Sequence, residues 1–144
     1  MVDYVCGFLF SDDLKSVVLI HKNRPEWQAG KLNGVGGKIE KDENSARAMH
    51  REFHEEAGVK IPSLAWERFC IGYVDTSKIH FFCAQSSGAF ELAHTCEEEV
   101  ITKVFTDSLP SNVLPNLRWL IPLAQTALNE TKMEIVTFMM ESDA

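Results

Sequence analysis

No apolar run approaches the roughly eighteen residues that a bilayer-spanning helix needs, and no membrane span is expected. The opening Met1-Val2-Asp3-Tyr4 lacks the basic-then-apolar order of a signal peptide, so a cytoplasmic location is expected. Cysteine is sparse: four residues, Cys6, Cys70, Cys83 and Cys96, with no CxxC pair. A disulfide framework is not expected, and Cys6, Cys70 and Cys83 read as buried strand residues. His21, His50, His54, His80 and His94 lack zinc spacing and read as surface or packing groups. Basic residues are also short, with 14 Lys and Arg against 21 Asp and Glu and a net charge of −7. Nucleic-acid backbones bind basic surfaces through counterion release, so a nucleic-acid binder is disfavoured. An acidic protein acting on an anionic phosphate needs a cation between the two. Repeats, low-complexity tracts and linkers are absent, and 1–144 reads as a single domain.

What is present is an ordinary globular pattern, 45% hydrophobic and 24% charged. Val2 to Phe10 reads as a strand, with Gly7 marking a bulge or a close approach. Ser11-Asp12-Asp13 suits a turn into a second strand, Val17 to His21. Asn23 to Gly30 reads as a loop, and the glycine-rich Asn33-Gly34-Val35-Gly36-Gly37-Lys38 follows it. From Asn44 to Ala57 the period becomes helical, with Ala46, Met49, Phe53 and Ala57 on one stripe. Asp42 or Asn44 is the expected cap, and Gly58 ends the helix in a left-handed conformation. Arg68 to Val74 and Lys78 to Gln85 read as paired strands, and Val100 to Phe105 as a further short one. Asn116 to Asn129 reads as a second helix burying Leu117, Leu120, Leu123, Ala124, Ala127 and Leu128, with Pro122 kinking it or delaying its start. The polar tail from Glu141 to Ala144 is expected to fray. Strands dominating two separated helices indicate an α+β or α/β/α domain on a mixed sheet.

Glu52, Glu55 and Glu56 stand at i, i+3 and i+4, on one face of the first helix. Like charges at that spacing destabilise a bare helix, so a solvated surface or a compensating group must accommodate them. An all-oxygen cluster suits a hard cation such as Mg²⁺, with Mn²⁺ as a substitute.

The letters around the cluster are more specific. Gly37, five residues, Glu43, seven residues, then Arg51-Glu52-Phe53-His54-Glu55-Glu56-Ala57-Gly58-Val59 resembles the Nudix box at every fixed position. A chance match at one start is on the order of one in a hundred million at background residue frequencies. Phe53 stands where that family more often has an aliphatic residue. The resemblance implies an α/β/α sandwich, and hydrolysis of a pyrophosphate bond in a nucleoside diphosphate compound. It also implies divalent cations held by Glu52, Glu55, Glu56 and the Gly36 carbonyl, with Arg51 orienting the glutamates and Glu43 holding loop against helix. In this family the general base varies between the glutamate at Glu52 and one from a distant loop. Here the distal candidates are Glu97, Glu98 and Glu99, of which Glu98 is preferred. Gly34, Gly36 and Gly37 admit positive φ and close backbone approach to a phosphate. Lys38 reads either as a phosphate contact or as a strand-end surface lysine.

Asn33-Gly34-Val35-Gly36-Gly37-Lys38 also resembles a variant found in relatives that hydrolyse oxidised purine nucleoside triphosphates, in which the asparagine reads the base. Leu114 to Trp119, including Asn116, loosely resembles their base-pocket segment but lacks its acidic residues. Trp27, Trp119 and Phe81 are aromatic candidates for stacking on a base; core packing is expected of the last two, and Trp27 in its polar loop is the exception. Three readings follow. The first is a nucleoside triphosphate pyrophosphohydrolase releasing the monophosphate and pyrophosphate. The second is a hydrolase of ADP-ribose or dinucleoside polyphosphates, which Tyr73 and a dimeric cleft would favour. The third is a nucleotide-binding module without catalysis. The partner in each is a small-molecule nucleotide, and a homodimer stays open.

Overall fold

The computed structural model describes residues 1–130 and 132–141. Its axis is β1 (Val2–Phe10), whose side chains alternate between two cores. Cys6, Phe8 and Phe10 point to one face and Val5 and Leu9 to the other, all of them buried. β2 (Ser16–His21) returns antiparallel, but only Val17 and Val18 reach a partner on β1. The two strands then diverge. β3 (Leu32–Asn33) fills the gap against Ile20 and His21, and β4 (Val35–Lys38) does so against Tyr4 to Gly7. The glycine-rich stretch, to which periodicity assigned no element, is thus strand. Glycine has little strand preference of its own, and the free backbone edge of β1 imposes the conformation.

On its other side β1 pairs parallel with β6 (Ser77–Gln85) along its whole length. β5 (Glu67–Val74) lies antiparallel to β6, with a register shift between Arg68 and Cys70. β7 (Ile101–Phe105) edges β2, and β8 (Val136–Met140) runs parallel to β5 at the far edge. The result is an eight-stranded mixed sheet.

α1 (Ser45–Ala57) covers one face through Ala48, Met49, Phe53 and Ala57. α3 (Leu117–Asn129) covers the other through Leu117, Leu120, Ile121, Ala124 and Ala127. The expected sandwich is therefore present, with a third helix, α2 (Ser87–Leu92), that periodicity over six residues was too short to reveal. Ile121 takes a core place in α3, while Leu123 and Leu128 are only partly buried. Pro122 lies inside α3 without ending it. Trp119, expected in the core, is 41% exposed and meets Phe138 edge-on at 5.0 Å between ring centroids. Cys6, Cys70 and Cys83 are buried free thiols, as expected. Beyond Glu141, the expected frayed tail lies outside the described residues. Among the described residues, no helix is long and apolar enough to cross a membrane.

The placement of α1 is tightly specified. Asn44 caps it by accepting the Arg47 N–H at 2.9 Å, a contact worth about 1 kcal/mol. Gly58 closes it at φ 77°, left-handed as expected. Phe53 is fully buried and packs on Trp66 at 5.4 Å, so truncating it to alanine would cost about 3–5 kcal/mol. Met49 sits directly over Gly7, where an added Cβ would come within 2.6 Å of its sulfur. Gly7 therefore marks a close approach of helix to sheet rather than a bulge.

Candidate active site

Two glycines set the distance between β4 and its neighbours. A Cβ on Gly36 would collide with the backbone carbonyl of Val5, and one on Gly37 would lie 2.5 Å from the Glu52 carboxylate. Among the described glycines, positive φ occurs at Gly30 and Gly58. Gly36 and Gly37 thus serve close approach, and the positive φ expected of Gly34, Gly36 and Gly37 is not used. Gly36→Ala forces backbone apart rather than a flexible side chain. It is expected to lower stability by about 3 kcal/mol or more in urea melts. A loss under 1 kcal/mol would mean that the β1–β4 spacing is soft.

Arg51 organises the start of the site. Its Nε and Nη2 donate to the two oxygens of Glu43 at 2.7 and 2.9 Å, a bidentate pair. Nη1 donates to Glu52 at 2.8 Å and to Glu55 at 3.3 Å, and Nη2 also reaches the Lys38 carbonyl at 3.1 Å. Glu43 in turn accepts the Glu40 N–H at 3.0 Å. One guanidinium therefore ties the loop, the end of β4 and two helix glutamates together. The hydrogen bond from Arg51 holds Glu43 below the usual carboxylate range, and the reciprocal contact with Glu43 raises Arg51. Glu52 moves the other way, because burial outweighs its contact with Arg51 and pushes its pKa up.

Glu56 has no such partner. Its Oε2 is buried without a hydrogen bond, and burial first, then the charge of Glu52, pushes its pKa up to about 8. It looks into a cleft of about 330 Å³ whose walls include Asn23, Arg24, Glu97, Glu98 and Glu99. The acidic loop is brought there by α1 itself. His94 and Cys96 donate their backbone N–H groups to the carbonyls of Ala57 and Glu56, satisfying the end of the helix. The three loop glutamates then separate in role. Glu99 accepts Lys22 Nζ at 2.9 Å and the Asn23 N–H at 2.6 Å. Burial raises the Glu99 pKa, but these hydrogen bonds outweigh it and the net shift is downward. Glu97 and Glu98 are exposed on the wall of the cleft. Among the described residues, no three His, Cys, Asp or Glu groups are gathered tightly enough to chelate an ion as they stand, since Glu52 and Glu55 are turned onto Arg51.

The candidate nucleotide-side residues sit around β3. Asn33 Nδ2 donates to Gln28 Oε1 at 3.1 Å, and its Oδ1 accepts the Gly34 N–H at 2.8 Å. Gln28 follows Trp27 in a short 3₁₀ turn, and Trp27 is 67% exposed, unlike the buried Phe81. Leu32, the residue before Asn33, bridges Val113, and Asn116 stands just before α3 without a side-chain cap bond. Lys38 ends β4 with its side chain exposed. Sequence reading missed Lys22, Asn23, Arg24 and Gln28. Lys22 and Glu99 are 77 positions apart and carry no joint signal along the chain.

The NUDIX domain family model matches residues 2–120, most of the chain and all of the geometry above. The chain belongs to the NUDIX domain family. With every fixed letter of its motif retained, it is a Nudix-type pyrophosphohydrolase. Curated proteins give no sequence match. Solved structures do match in fold. The MutT structure described for Aliivibrio salmonicida and Vibrio cholerae is 23% identical with a TM-score of 0.71, covering 87% of this chain and 98% of its own. An ADP-ribose pyrophosphatase from Streptococcus suis is 19% identical at 0.64, covering 95% and 98%. The NUDIX domain of Shewanella oneidensis NrtR, complexed with ADP ribose, is 19% identical at 0.70, covering 89% and 88%. Among the described residues after 120, the rest of α3 covers the sheet and β8 extends it.

Proposed function

We propose that this Nudix enzyme uses Mg²⁺ to hydrolyse a nucleoside triphosphate to the monophosphate and pyrophosphate, acting as one cytoplasmic domain on a small-molecule substrate. The carrying observation is Glu56 Oε2, a buried carboxylate oxygen without a partner on the wall of an acidic cleft. A buried carboxyl without a partner there either keeps its proton or meets a cation. The donors nearby are carboxylates and, on β4, the Gly36 carbonyl, which fit Mg²⁺ or Mn²⁺ rather than a soft metal. Glu52, Glu55 and Glu56 with the Gly36 carbonyl would hold it. When bound, the ion neutralises pyrophosphate charge and makes a water more acidic.

The protein's own groups supply the rest. Glu98, exposed and unspent, takes the proton of the attacking water as its oxygen bonds to phosphorus and the bridging P–O bond breaks. Glu99 holds Lys22 and Asn23 and is not the base. Arg51 keeps Glu52 and Glu55 aligned. Asn33, supported by Gln28, faces the base with Trp27 available to stack, while Lys38 and Asn116 flank the phosphate and base ends. The dinucleotide reading draws support from the two neighbours described with ADP ribose. Tyr73, which would favour that reading, lies under the Lys78 ammonium at 5.6 Å and is not among the residues walling the cleft.

The test is a Mg²⁺-dependent turnover panel of natural and oxidised triphosphates, ADP-ribose and dinucleoside polyphosphates, with products identified. Pyrophosphate release from one triphosphate ahead of the rest is expected. Preference for a dinucleotide would overturn the substrate, and silence across the panel would leave a binding module. In the same panel Glu98→Gln should lower kcat by about 10²–10⁴-fold. A Glu98→Gln enzyme with unchanged kcat would move the base to Glu52.

A further inference from the structure

The cleft beside Glu56 is acidic, yet its substrate is an anion. Among its described lining residues, Arg24 is the one cation. Lys22, close by, has its charge taken up by Glu99 at 2.9 Å. The same carboxylate receives the Asn23 N–H at 2.6 Å, so the backbone is clasped to the acidic loop one residue before Arg24. This fixes where the Arg24 side chain starts. Its guanidinium makes no ion pair or hydrogen bond among the described residues, although Glu97 and Glu98 line the same cleft. Arg51, by contrast, uses all its nitrogens on carboxylates and a carbonyl. The structure thus holds one arginine committed to Glu43, Glu52 and Glu55 and one, in the cleft lined by Glu56, Glu97, Glu98 and Glu99, with its donor fork free.

A free planar fork suits a phosphate that offers two oxygens at once. The terminal phosphate of a polyphosphate chain offers three unbridged oxygens and close to two charges near neutral pH. A phosphate inside a dinucleotide offers two oxygens and one charge. The cleft is large enough for a phosphoryl group with several waters, at roughly 30 Å³ per water. We propose that Arg24 binds the terminal phosphate of the substrate and thereby selects triphosphates over dinucleotides. This rests on the triphosphate reading above and names the residue that enforces it. Arg24 binds, Glu99 positions the segment that carries it, and Glu56 lines the same cleft.

The experiment compares wild type, Arg24→Ala and Arg24→Lys on a nucleoside triphosphate and on ADP-ribose, with melting temperatures as a fold control. In Arg24→Ala the ratio of kcat/KM for triphosphate to that for ADP-ribose should fall about ten-fold or more, chiefly through KM. Arg24→Lys should recover part of it, because lysine restores the charge without the fork. A ratio within two-fold of wild type, or an equal loss on both substrates, overturns the proposal. Binding of inorganic tripolyphosphate with Mg²⁺, measured by calorimetry, separates the two claims. If wild type turns over no triphosphate, the functional reading fails, and an unchanged tripolyphosphate affinity in Arg24→Ala then overturns the role of Arg24 as well.

Discussion

Glu56→Gln is expected to lower turnover by about three orders of magnitude while making the metal-free protein more stable at alkaline pH. The first effect follows from removing a charge on which the proposed cation would depend, in a reaction driven mainly by electrostatic stabilisation. The second follows from linkage. The folded protein holds the Glu56 proton up to about pH 8, whereas the ordinary value is 4.5. Between those values the native state binds a proton that the unfolded chain has released, so stability falls as pH rises through the window. The loss is complete above the folded pKa and absent below the unfolded one. Discounted for partial exposure, it is about 2 kcal/mol. Glutamine has no charge to bury and should flatten that slope, as should saturating Mg²⁺ on the wild type. Urea melts at pH 5 and pH 9, with and without metal, provide the check. A wild-type protein equally stable at both pH values without metal would contradict the burial assigned to Glu56.

Arg51→Lys should be nearly as damaging to activity, although it keeps the charge. The guanidinium spans Glu43, Glu52, Glu55 and the Lys38 carbonyl at 2.7–3.3 Å. An ammonium is a point donor and cannot serve both the loop and the helix. We expect a stability loss of about 2–3 kcal/mol, since Glu43 and Glu52 are largely buried while Glu55 is exposed. The Mg²⁺ concentration for half-maximal activity should rise about 10–100-fold, as it does when groups that orient metal ligands are removed. Turnover and Mg²⁺ titration of the variant test this. Activity within three-fold of wild type at low Mg²⁺ would reduce Arg51 to an ordinary surface pair.

Much of the fold was legible because its elements announce themselves locally. β1, β2, β5 and β6 are apolar runs between turns, and α1 carries both its stripe and its caps. The elements that were missed depend on partners. β4 is glycine-rich and extended only because β1 offers an edge. β8 exposes Val136, Met139 and Met140, so burial imposes no alternation on its sequence. The site divides in the same way. The carboxylate face of α1 could be read from spacing alone. The free Oε2 of Glu56, the clasp between Glu99 and Lys22, and the hold of Gln28 on Asn33 could not, since each depends on where distant strands end. Arg51 was legible as the group that orients the glutamates, but its bidentate hold on Glu43 across the loop was not.

The parallel ladder of β1 and β6 bears on how the molecule is made. Val2 pairs opposite Ser77 and Phe10 opposite Gln85, so the centre of the sheet joins segments some 75 positions apart. Closing so large a loop before any contact repays it slows folding. During synthesis β1, β2 and α1 therefore emerge well before the strand that completes their core. Until residue 85 has left the ribosome, Phe8 and Leu9 stay without their neighbours on that side. A nascent chain arrested near residue 70 should accordingly bind general chaperones, and one released beyond residue 130 should not.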